Sequence, residues 1–212
     1  PRKNEILRAI EYYEKILPEL SAKVELNTEP AYEELNQYDN VILAIGAHNM
    51  ELPMSVENSN VVSSWDVLNG EAVSGNCAVL GGGLVGTETA EFLAQKGLKV
   101  SIIEMLSQIA TGESETVMPL IMKDFEEHDV KQYVNTKVKS IENNVIFATN
   151  TKDGADITIE ADTIINALGS KKNLFDDSKL TVPFEYVGDC SGERTADISV
   201  AIRSGYQAGN EI

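Results

Sequence analysis

CAVLGGGLVGTETAEFLAQKGLKVSIIE, residues 77–104, is the stretch on which the fold turns. Cys77–Leu80 is a short apolar run bounded by turn residues, which reads as a buried strand. Gly81-Gly82-Gly83-Leu84-Val85-Gly86 follows as a glycine turn. Thr87–Lys96 has a helical pattern, and Gly97 stands where a helix stops in the left-handed conformation. Lys99–Ile103 is a second strand, closed by Glu104. Together they make one βαβ unit of about 30 residues. These residue types suit a dinucleotide. Gly81 permits the tight turn, Gly83 lets main chain approach a pyrophosphate with no Cβ between, and Gly86 lets helix and strand pack closely. The helix N-terminus offers unsatisfied N–H groups to the phosphates. Glu104 is placed to accept the ribose hydroxyls of an adenosine. A carboxylate there repels a 2′-phosphate, and no Arg follows among Met105, Leu106, Ser107 and Gln108, so NADH is expected over NADPH.

Working outward, residues 4–17 (NEILRAIEYYEKIL) carry Ile6, Leu7, Ile10, Tyr13, Ile16 and Leu17 at helical spacing. Pro18 and Pro30 bracket a polar connection around a strand-like piece, Val24–Leu26. Val41–Ile45, closed by Gly46, reads as a buried strand of a parallel sheet. Residues 47–75 read as a connection with one helical turn near Ser64–Leu68. Beyond the βαβ unit, residues 114–128 read as a helix whose regular part starts near Pro119. The period then changes to two. Lys137–Ile141, Val145–Thr149 and Asp156–Glu160, with turns at Asn143-Asn144 and Asp153-Gly154, predict a three-stranded antiparallel meander. Thr163–Ala167 and Phe184–Val187 are further strands, and residues 196–212 form a helix with Ile198, Ile202 and Tyr206 on one face.

Composition narrows the function. The chain has 212 residues, 42% hydrophobic and 24% charged, which excludes a disordered or low-complexity protein. With 34 acidic against 17 basic residues the net charge is −17, which argues against a grip on nucleic acid. No apolar run approaches the ~18 residues of a spanning helix, so no membrane partner is expected. The two cysteines are too few for a disulfide scaffold or a four-thiolate metal site, and a reducing cytoplasm fits them. The first residue is Pro1, which suggests a piece of a longer chain.

At YDNVILAIGA, the βαβ segment, ADTIINALGSKKN and EYVGDC…AIRSGYQAG, the sequence resembles the C-terminal two-dinucleotide-binding region of old yellow enzyme-like NADH:flavin oxidoreductases, the family of 2,4-dienoyl-CoA reductase and 2-enoate reductase. The resemblance covers nearly the whole chain. It implies an α/β fold: a Rossmann-like NAD(H)-binding domain with its meander, residues 74–182, inserted in a partial FAD-binding domain formed by residues 1–73 and 183–212. It also places Glu88 near the nicotinamide and Gly169 along the NAD pocket. Gly46 falls at the strand turn near the flavin, and Gly188 and Asp189 at the pair whose acid contacts the FAD ribityl chain. Ala201 and Ile202 match the helix start that approaches the flavin ring.

An earlier GxGxxG for the FAD pyrophosphate is not in this sequence, so the FAD site is incomplete. FMN, its barrel and an iron–sulfur cluster are implied only for the intact enzyme, in a missing N-terminal part that would be this region's partner. The resemblance thus implies a C-terminal fragment, inactive alone, that binds NADH and in the intact enzyme delivers hydride to FAD for reduction of an enoate or enoyl-CoA. Two alternatives stay open. One is a non-catalytic module holding ADP or NAD. The other is a relative of pyridine-nucleotide disulfide reductases, disfavoured because Cys77 and Cys190 form no CxxC or CxxxxC pair. Cys77 reads as a core hydrophobe, His48 and His128 as surface residues, and Glu126, Glu127 and Asp129 as a solvated helix end, with no metal site among them.

Overall fold

A computed structural model describes residues 5–192 and 198–212. In chain order its elements are α1 (Glu5–Glu19), α2 (Tyr32–Leu35), β1 (Val41–Leu43), β2 (Ala47–Asn49), β3 (Ser55–Glu57), β4 (Val61–Ser63), α3 (Ser64–Leu68), β5 (Asn76–Leu80), α4 (Leu84–Gln95) and β6 (Lys99–Ile103). There follow α5 (Met118–Glu127), β7 (Lys131–Tyr133), β8 (Thr136–Glu142), β9 (Val145–Asn150), β10 (Asp156–Glu160), β11 (Thr163–Asn166), β12 (Ser170–Lys172), β13 (Phe184–Tyr186) and α6 (Ile198–Glu211). The chain forms two compact units, Pro1–Ala47 with Lys172–Ile212, and His48–Lys171.

The His48–Lys171 unit is built on a parallel sheet in the order β4-β11-β5-β6-β7. Its three central strands, β11, β5 and β6, are buried on both faces, which is why they read as unbroken apolar runs. Along β5, Cys77 and Val79 join Leu93, Val100, Ile102 and Phe125 under the helices. The alternate residues Ala78 and Leu80 join Ile141, Ile146 and Ile159 under a second sheet. That second sheet holds the expected meander, β8-β9-β10, with β3 added parallel to β8. The hairpin between β8 and β9 turns on Asn143 and Asn144, with φ of 52° and 62°. Positive φ at both central residues is the geometry whose twist matches a two-residue hairpin, and Asn tolerates it. The result is three layers: helices, parallel sheet, antiparallel-rich sheet.

In the Pro1–Ala47 with Lys172–Ile212 unit, β1 and β13 form a two-stranded parallel sheet. Val41, Leu43, Val187, Cys190 and Ala208 are buried, whereas Ile42, Ile45 and Phe184 are exposed. None of the residues of α1 is buried. The strand at Val41 is therefore shorter than read and covered on one face only.

Several local expectations change. Val24–Leu26 is not a strand. The first helix runs through Pro18 to Glu19, with the proline in its last turn. The helix after the glycine turn starts at Leu84, before Thr87, because Gly83 is already its N-cap. The last helix begins at Ile198, and residues 196 and 197 lie outside those described. The short strands β2, β3, β4, β7 and β12 carry too few residues for a periodic signal. Through them residues 55–63 join the His48–Lys171 unit, since β3 pairs with β8 and β4 with β11.

Candidate functional site

The glycine turn lies at the C-terminal end of β5, between β6 on one side and β11 on the other. This is a topological switch point of the parallel sheet, the place where open α/β sheets take ligands. Gly81 has φ of +100°, and a Cβ on it would sit 2.6 Å from the Ala167 carbonyl oxygen at the end of β11. On Gly86 a Cβ would fall 1.9 Å from the Gly81 carbonyl oxygen, so the first turn of α4 rests directly on main chain. By contrast, a Cβ on Gly83 would meet nothing within 4 Å. Two of the motif glycines are thus demanded by packing, and the third leaves open space at the helix N-terminus. Leu84 and Val85, the next residues, are also exposed.

Glu104 reaches back to this turn. One carboxylate oxygen accepts the Gly82 N–H at 2.6 Å, and the other accepts the Leu106 N–H at 2.7 Å. Each oxygen keeps a further lone pair, so a carboxylate fixed by two amides still has acceptor capacity for hydroxyl groups. The Gly82 carbonyl in turn accepts the Ala110 N–H at 2.6 Å and the buried Thr87 hydroxyl at 3.2 Å. Gly82 itself, a variable position of the motif, is constrained here: a Cβ would lie 2.8 Å from Ile109 Cγ2 and 2.9 Å from Glu104 Cβ. Ala110 holds its end of the contact at φ of 52°. Thr87, Leu106, Ile109, Ala110 and Ala167 therefore belong to the site's scaffold, and none was singled out from sequence. A hydroxyl beside the last glycine was the only available signal, since the others act through main chain or packing.

The remaining predicted residues divide between the units. Glu88 lies half-buried on α4, with Gly169 in the same unit. Gly169 has φ of +120°, and its carbonyl accepts the Met50 N–H at 2.9 Å. Gly46, Gly188, Asp189, Ala201 and Ile202 belong to the other unit. There, the Gly188 N–H donates to Ser204 Oγ at 2.9 Å, and a Cβ on Gly188 would lie 3.6 Å from that of Ala201. Asp189 follows in a short 3-10 turn, Ile202 is exposed, and Gly46 has open space where a Cβ would stand.

Both cysteines are buried. Burial, with the nearby Asp162 carboxylate second, pushes the Cys77 thiol up to about 11. Cys190 Sγ lies 3.1 Å from the carbonyl oxygens of both Leu43 and Val187. His48 and His128 are exposed, as are Glu126, Glu127 and Asp129. Among the described residues no group of His, Cys, Asp and Glu is arranged to hold a metal ion. A cleft of about 770 Å³ opens at the opposite end of the sheet, beside Asn76, Lys99 and Lys131, and contains none of the predicted site residues. Among the described residues no helix is long and apolar enough to cross a membrane.

The pyridine nucleotide-disulphide oxidoreductase family description matches residues 4–205. Bilirubin reductase of Mediterraneibacter gnavus (strain CC55_001C) is 40% identical over 219 residues, which span 100% of this chain and 34% of that protein. Cinnamate reductase of Clostridium sporogenes is 31% identical over 217 residues, spanning 96% of this chain and 31% of that protein. The chain thus spans about a third of the length of these relatives. Among solved structures, a 2-naphthoyl-CoA reductase complex superposes with a TM-score of 0.83 at 24% identity, over 96% of this chain and 32% of that one. Histamine dehydrogenase from Rhizobium sp. 4-9 superposes with a TM-score of 0.82 at 17% identity, over 97% of this chain and 36% of that one. These identities speak for the fold alone, that of two-dinucleotide-binding flavoproteins.

Proposed function

Because this chain belongs to the pyridine nucleotide-disulphide oxidoreductase family, we propose that it is the NADH-binding region of a longer flavin oxidoreductase of the 2,4-dienoyl-CoA reductase and 2-enoate reductase kind. The observation that carries this reading is the open main chain at Gly83 beside a Glu104 carboxylate held by two amides. The cradle fits a dinucleotide. Gly83 and the first turn of α4, Leu84, Val85 and Gly86, direct N–H groups at the pyrophosphate. Glu104 accepts the adenosine ribose hydroxyls, and Gly82 orients Glu104. Glu88 and Gly169 border the nicotinamide half. A 2′-phosphate about 4 Å from Glu104 is opposed by up to about 4 kcal/mol per charge pair at an effective dielectric near 20, which selects NADH over NADPH.

NADH bound there supplies a hydride, whose acceptor in the intact enzyme is FAD. Gly46, Gly188, Asp189, Ala201 and Ile202 would form the part of the FAD site that this chain contributes. The open backbone at Gly46 and the left-handed Gly188 fit close approach of a cofactor, but a second phosphate-binding glycine turn is not in the sequence. The rest of the FAD site, the FMN barrel and the iron–sulfur cluster are assigned to the remaining two thirds of a longer protein, which is this region's partner. The substrate class is an enoate or enoyl-CoA. Cinnamate, in the name of one relative, is an enoate. Dithiol chemistry finds no support in two buried cysteines.

Calorimetric titration of the chain with NADH, NADPH and ADP tests the reading. NADH binding clearly tighter than NADPH and ADP supports it. ADP binding as tightly as NADH favours a non-catalytic adenosine-binding module, for which Gly81–Gly86 and Glu104 suffice. Absence of binding overturns the coenzyme site in this chain.

A further inference from the structure

Three consecutive glycines are a poor platform for a phosphate unless something holds their peptide planes, since glycine rotates about φ and ψ more freely than any other residue. The planes from Gly81 to Gly83 are held one by one. The Gly82 N–H donates to Glu104, and across the same trans peptide the Gly81 carbonyl faces Gly86. The next plane is fixed by its carbonyl: the Gly82 oxygen accepts the Ala110 N–H at 2.6 Å and the Thr87 hydroxyl at 3.2 Å. In a trans peptide the C=O and the following N–H point in opposite directions. Pinning the Gly82 carbonyl therefore aims the Gly83 N–H the other way, and Gly83 is exposed with open space around it.

We infer that Thr87 is a positioning residue, whose buried hydroxyl orients the Gly83 N–H toward the pyrophosphate. The inference rests on the coenzyme site proposed above. Thr87 is 1% exposed and touches no ligand itself. It donates from one helical turn beyond the glycine it controls, so the element that supplies the N-terminal N–H groups also locks the loop before it. Ala110 secures the same carbonyl through main chain alone, which leaves Thr87 as the side chain through which this plane is adjusted.

Thr87→Val removes the hydroxyl while keeping the branched shape, and the Gly82 carbonyl retains Ala110, so no buried acceptor is orphaned. Thr87→Ser keeps the hydroxyl. Loss of one such hydrogen bond corresponds to about a three- to tenfold change in affinity. The expected result is that Thr87→Val binds ADP about three- to tenfold more weakly than the parent while adenosine, which lacks phosphate, binds unchanged. Thr87→Ser restores ADP binding. In the unliganded Thr87→Val variant the Gly83 amide resonance shifts and its hydrogen exchange quickens. Parental ADP affinity in Thr87→Val, or an equal loss of adenosine, overturns the inference and leaves the coenzyme site standing. A parent chain that binds neither ligand overturns both. If Thr87→Val does not fold, Thr87→Ala, which lacks the same hydroxyl in a smaller side chain, carries the comparison.

Discussion

Replacing Glu104 with Gln removes the charge that opposes a 2′-phosphate, and a sequence argument alone would expect NADPH to be admitted. The structure leads to a different expectation. Both Glu104 oxygens accept main-chain N–H groups, from Gly82 at 2.6 Å and Leu106 at 2.7 Å. Gln offers one oxygen and one NH₂ group, so one amide meets a donor instead of an acceptor. Losing a hydrogen bond to a charged group costs about 1.5–3 kcal/mol, and the surviving bond weakens to that of a neutral pair. Solvent reaches the Leu106 side and compensates part of this, so about 2 kcal/mol is expected for the whole substitution. At about 2–4 °C per kcal/mol for a chain of this size, the melting midpoint falls by about 4–8 °C without any ligand. Circular dichroism melts of the parent, Glu104→Gln and Glu104→Asp measure it directly. Asp keeps the charge but is one methylene too short to span both amides, so it also melts lower. A Glu104→Gln variant that melts within about 1 °C of the parent and binds NADPH as the parent binds NADH would refute the claim that this carboxylate holds the turn.

Gly86→Ala places a Cβ 1.9 Å from the Gly81 carbonyl oxygen, where main chain cannot yield. Loss of the cooperative unfolding transition, or a loss of more than about 3 kcal/mol in urea titration, is expected. In the β8–β9 hairpin, Asn143 is exposed at φ of 52°. Asn143→Gly should be neutral or stabilising by a few tenths of a kcal/mol, and Asn143→Val should cost about 1–2 kcal/mol, read from urea midpoints. Cys77 should resist thiol reagents at pH 8 until the chain unfolds. Its folded value of about 11 stands above the ordinary 9.0, so the folded chain keeps a proton that the unfolded chain releases. Stability should therefore be full below about pH 9 and fall as pH rises toward 11, with Cys77→Ala showing a shallower alkaline decline.

The central βαβ unit was legible because each of its signals is local. Cys77–Leu80 and Lys99–Ile103 are apolar runs, Gly97 ends the helix in the left-handed conformation with φ of 82°, and Gly81 and Gly86 sit where main chain meets main chain. The meander was legible for the same reason, through period-two strands and an Asn-Asn turn. The three-residue strands escaped notice because Val61–Ser63 or Lys131–Tyr133 becomes a strand only through the partner it pairs with, Ile164–Asn166 or Ser101–Ile103.

By itself, the sequence determined the type of fold and which acid accompanies the glycine turn, since hydrophobic period and glycine position are written residue by residue. Only the tertiary structure decided what each glycine of the Gly81–Gly86 turn is for. Gly81 and Gly86 are required by the approach of Ala167 and of the turn itself, Gly82 by Ile109, and of these four Gly83 stands open. It likewise decided that Thr87 and Ala110 hold the Gly82 carbonyl while Glu104 holds its N–H. The contacts from Glu104, Ala110 and Ala167 join residues far apart in the chain, and each ends on a main-chain atom of the turn that every residue carries, so a one-dimensional pattern has no means of recording them.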